Sequence, residues 1–121
     1  MKRYVVLALA VLPMSAQAQP VSWGMAQCGA MMGVMERHVT QQPQKAILAD
    51  AGHRMLVAAR AQSRAEGRDP AELDQVHAAK RDAWQAMGGT FAFKQEFRDW
   101  IQYCRSLALS YDIALDQSML R

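Results

Sequence analysis

Apolar positions recur at helical spacing through four segments of the chain, and no run alternates polar and apolar residues long enough to suggest a strand. The first segment, from about Ser22 to Val39, carries Val21, Met25, Cys28, Met32, Met35 and Val39 at steps of four and three, which predicts one apolar stripe, with Ser22 as N-cap. Thr40, Gln41 and Gln42 interrupt it, and Pro43 suits the first turn of a second helix, where a missing N–H is not needed. That helix is expected to end near Glu66, with Ile47 or Leu48, Ala51, Met55, Ala58 and Ala59 inward and Gly67 supplying a left-handed stop.

Asp69-Pro70-Ala71-Glu72 is the sharpest local signal: Asp69 as cap, Pro70 in the first helical position and Glu72 as capping-box partner. The third helix then follows Leu73, Val76, Lys80, Ala83 and Met87, with His77 and Trp84 beside that path, until Gly88-Gly89. Lys80 breaks the pattern and is expected to lay its stem on the core edge with its ammonium in water. A fourth helix should run from near Thr90 to at least Ser110 on Phe93, Phe97, Trp100, Cys104, Leu107 and Tyr111, the strongest stripe in the chain.

Four helices with short connections predict an all-α, antiparallel up-and-down four-helix bundle. Cys28 and Cys104, the two cysteines present, sit at matching depths in the first and last helices, which predicts a disulfide between antiparallel neighbours. Closing a loop of about 77 residues would stabilise so small a domain by about 4–5 kcal/mol from loop-closure entropy. The second segment is rich in Lys and Arg and the third leans acidic, so these two are expected to attract each other across a seam, at about 0–1 kcal/mol per exposed pair.

The amino terminus changes the setting. Met1-Lys2-Arg3, the apolar run Tyr4 to Leu12, Pro13 and the exit Ala16-Gln17-Ala18 form a secretory pattern with cleavage after Ala18. Nine apolar residues are too few to span a hydrocarbon core, so no transmembrane segment is expected in the mature chain and the location is periplasmic or secreted. Residues 1–18 are then a signal peptide and 19–121 a single helical domain. Loss of Lys2 and Arg3 lowers the formal charge from +3 to +1, a balance that gives no basic footprint for nucleic acid.

Candidate chemistry is sparse. Pro20 to Met35 contains no charged residue, and Cys28, Met32, Met35 and His38 fall along one side of the first helix. Methionines there are expected to fill the core, with glycines allowing close backbone approach. A soft-metal alternative places copper on Met31, Met35 and His38, thioethers and imidazole being suitable Cu(I) donors. The three histidines, His38, His53 and His77, lie on different segments and form no catalytic motif, Asp112 and Asp116 are expected to be solvated, and no C-x-x-C-H haem attachment is present. The sequence therefore predicts an exported, non-enzymatic binding or protein-interaction module without a resident cofactor. Its partner is a protein or small apolar ligand, with Trp23, Trp84, Phe91 and Trp100 as candidate binding aromatics.

Overall fold

In a computed structural model of the protein, which describes residues 19–120, four α-helices follow one another: α1 (Val21–Arg37), α2 (Gln44–Ala65), α3 (Ala71–Gln85) and α4 (Gln95–Ser110). Short 3-10 segments occupy Gly88–Phe93 and Gln117–Met119, and no strand occurs among the described residues. The expected bundle is the fold, and the disulfide links its first and last helices. The expected signal peptide lies outside the described residues. Among those residues no helix is long and apolar enough to cross a membrane.

The uncharged stretch of α1 has a plain structural meaning. Rather than presenting a single stripe, α1 is buried on almost every side, with Met25, Ala26, Cys28, Ala30, Met31, Met32 and Val34 all in the core. A helix apolar all round belongs in the middle of a fold. Both α2 and α3 pack chiefly on α1 rather than on each other. This corrects the expected α2–α3 charge seam: the ion pairs Arg54–Asp50 and Arg81–Asp82 form within single helices, while Arg68 meets Glu66 and Glu72 at the connection.

Glycines permit a close crossing of α1 and α2. A Cβ on Gly29 of α1 would come within 3.1 Å of the Gly52 carbonyl oxygen of α2, so the two backbones meet there directly. On α2 the inward positions are Leu48, Ala51, Met55 and Ala59. The helix ends in a Schellman turn: Gly67 takes φ +71°, and the Arg68 N–H donates to the Ser63 carbonyl at 2.9 Å. Asp69 caps α3 as expected, accepting from the Ala71 N–H at 2.9 Å.

The third and fourth helices depart from their expected faces. Trp84, 2% exposed, takes the core position on α3, and Ala83 is turned to solvent. After Gly88, at φ +58°, the chain makes a 3-10 turn through Phe93 before α4 begins at Gln95. The tighter 3-10 winding exchanges two phenylalanines: Phe91 is buried, and Phe93, expected to lead the inward stripe, is 83% exposed.

Cys28 and Cys104 are bonded, with Cα atoms 5.7 Å apart. Both cysteines are buried, and the bond ties the middle of α1 to α4. In the same core cluster Trp84, Phe91 and Phe97 meet edge to face, with centroids 4.9–6.2 Å apart.

Candidate functional site

At the start of α1, Ser22 is a buried helical residue rather than the cap. Its hydroxyl donates to Glu66 Oε1 at 2.6 Å and its N–H to Glu66 Oε2 at 3.2 Å. A carboxylate from the end of α2 thus satisfies a free N–H at the positive end of α1. Burial acts to raise the Glu66 pKa, but the hydrogen bonds from Ser22 and Gln62 and the Arg68 charge outweigh it and hold the carboxyl below its ordinary value. Beside this clasp the Trp23 indole N–H donates to Glu72 Oε1 at 2.7 Å. Glu72 has therefore left its expected capping-box role for a tertiary one.

The candidate binding aromatics are divided by the fold. Trp84 and Phe91 belong to the core, whereas Trp23 and Trp100 are half-buried. Trp100 stacks edge to face on Tyr103, and the Lys80 ammonium lies 3.7 Å from its ring centroid and 5.5 Å from that of Trp84. The lysine that interrupts the apolar path of α3 thus lies half-buried across two indole faces. Burial lowers its pKa, and the Glu96 charge opposes that shift.

The candidate metal residues are likewise separated. Met31 is sealed in the core at 1% exposure. Met35 is half-buried, and His38, exposed just after α1, rests its ring 5.2 Å from that of Phe91. Among the described residues no group of three or more His, Cys, Asp and Glu side chains is gathered for a metal. His53 borders an open groove of mixed character with Asp50, Val57, Tyr111, Asp112 and Ile113, and His77 is half-buried on α3.

One surface combines concavity with apolar walls. Where the end of α1, the start of α2, the middle of α4 and the Gln117–Met119 turn converge, a groove of about 600 Å³ is lined by Met35, Val39, Ile47, Leu48, Ile101 and Met119. A second hollow of about 430 Å³ continues it along α4 past Met35 and Ile101 to Phe97 and Arg98. Arg105 belongs to both parts and is fixed by its Nε–H, which donates to the Met119 carbonyl at 2.9 Å. Met35 was legible as an apolar helical position, whereas Ile101 lies off the stripe expected for the fourth helix. The groove was not legible, because it depends on how the segment after Ser110 folds back.

Comparison of the chain with protein-family models, curated proteins and solved structures finds no match.

Proposed function

We propose that this protein is an exported, disulfide-clasped, non-enzymatic binding module that holds an apolar ligand in the groove between α1, α2 and α4. The observation that carries this reading is the groove itself: Val39, Ile47, Ile101 and the thioethers of Met35 and Met119 wall a concave surface of a size that suits small-molecule ligands. Flexible methionines adapt to irregular apolar shapes, which favours tolerance over strict selection. Export is supported by the leader pattern of residues 1–18 and by a disulfide, a bond that persists in oxidising compartments.

Titration of the processed, oxidised protein with the neutral apolar fluorophore Nile red tests the reading. Saturable binding is expected, and Ile101→Glu should abolish it while circular dichroism remains helical. Binding that does not saturate, or that ignores this substitution, overturns the groove as the site. Copper handling draws less support, because Met31 is enclosed while His38 stands against Phe91. Retention of Cu(I) against a competing chelator, lost on His38→Ala, would favour it instead.

A further inference from the structure

We infer that the groove takes a single-chain anionic amphiphile, an acyl chain ending in a carboxylate, with Arg98 and Arg105 receiving the head. This rests on the groove being the binding site and adds the chemical class of its occupant. Three observations carry it.

The first is the charge at the rim. Arg98 and Arg105 are seven residues apart on α4 and therefore share one side of it, about 10 Å apart along the axis. Ile101 lies between them on the same strip. Among the described residues no ion pair joins either guanidinium to a carboxylate; Arg105 uses its Nε–H on the Met119 carbonyl, and Arg98 directs one Nη–H to the Phe93 carbonyl at 3.5 Å, which leaves further N–H donors on each. The planar fork of a guanidinium matches a carboxylate, and a charge-assisted hydrogen bond is stronger than a neutral one.

The second is the nature of the walls. Most of the groove is helix surface, whose backbone hydrogen bonds are closed within each helix. An extended peptide would bring N–H and C=O groups that find no ladder to join, whereas an acyl chain has none to satisfy. The third is the remaining charge. Asp116 also borders the groove, but its Oδ1 accepts from the Ser118 N–H at 2.9 Å and the Ser118 hydroxyl at 2.6 Å, which turns that oxygen toward its own turn. Arg98 stands in the extension along α4, which Asp116 does not line.

Calorimetric titration at pH 8 with decanoate, 1-decanol and decyltrimethylammonium, each below its micellar concentration, separates head from chain. Decanoate is expected to bind about tenfold more tightly than decanol, as one added charge-assisted contact implies. The cation should bind weakest. The double variant Arg98→Gln/Arg105→Gln should lose the preference for decanoate over decanol. Arg98→Gln alone, which leaves the Arg105 bond to Met119 intact, should reduce that preference. Equal affinity for decanoate and decanol, or a preference for the cation, overturns the anionic assignment and leaves the apolar groove standing. Failure of all three to bind overturns the groove as well.

Discussion

Gly29 and Gly52 face each other across the α1–α2 crossing so closely that a Cβ on Gly52 would stand 3.3 Å from the Gly29 carbonyl oxygen, and one on Gly29 would stand 3.1 Å from that of Gly52. Gly33, one turn further along α1, has nothing within 4 Å of such a Cβ. The same substitution should therefore act with opposite signs. Alanine at either site gains about 1 kcal/mol of helix propensity. At Gly29 this is outweighed by about 1–3 kcal/mol of overpacking against backbone that has little room to yield. Chemical denaturation should show Gly29→Ala destabilised and Gly33→Ala stabilised.

The Glu66 clasp predicts a pH dependence. Because its folded pKa lies below the ordinary 4.5, the unfolded chain binds more protons there, so the stabilisation is complete above 4.5 and is lost as pH falls through the folded value. His77 acts earlier with the same sign. Burial, then the Arg81 charge, lowers its pKa from 6.5 against the opposing pull of Asp74, and Arg60 adds to the lowering. Stability should thus begin to fall as pH drops below 6.5. Denaturation midpoints across this range should lose the upper decline in His77→Gln and the lower one in Glu66→Gln.

Enclosure of both half-cystines predicts resistance to reductant. Thiols should leave the native bond intact and cleave it once the protein is unfolded, as alkylation followed by mass measurement would show. Replacing both with alanine should cost about 4–5 kcal/mol by loop-closure entropy.

Lys80 predicts that packing outweighs charge. Lys80→Met keeps the stem across Trp84 and Trp100 and should change stability by less than about 1 kcal/mol, since the lost cation–π attraction is offset by relief of ammonium desolvation. Lys80→Ala removes the stem too. It should be the less stable variant and should shift the Trp emission to the red.

Ser63 is enclosed in α2, and its hydroxyl finds no partner among the described residues. A polar group in that state costs about 1–3 kcal/mol, so Ser63→Ala should raise stability by about 1 kcal/mol or more in urea denaturation.

Local chemistry was readable, and of the long-range chemistry only the cysteine pairing was. Gly67 and Asp69 act within a few residues of themselves, so their roles as stop and cap follow from residue type. The pairing of Cys28 with Cys104 also followed, because equal depth in antiparallel helices constrains it. Ser22 looked like a cap because nothing nearby announces that Glu66, 44 residues later, reaches its N–H and hydroxyl. Phe91 and Phe93 exchanged places because a 3-10 turn after Gly88 rotates the chain before α4 starts, and a stripe extrapolated backward at helical period misses that rotation. The site was less legible still. Met35, Ile101 and Arg105 lie on two helices, and only the returning segment that carries Met119 closes a wall around them.

The enclosed position of α1 sets an order of events during biosynthesis. α1 is made before the helices that cover it, so its methionine and glycine surfaces stay without neighbours until α2 and α3 have emerged. Cys28 then waits for nearly the whole polypeptide before its mate arrives. Holdase chaperones that bind nascent apolar segments would meet this chain at α1, and premature release would leave that uncharged surface open to self-association.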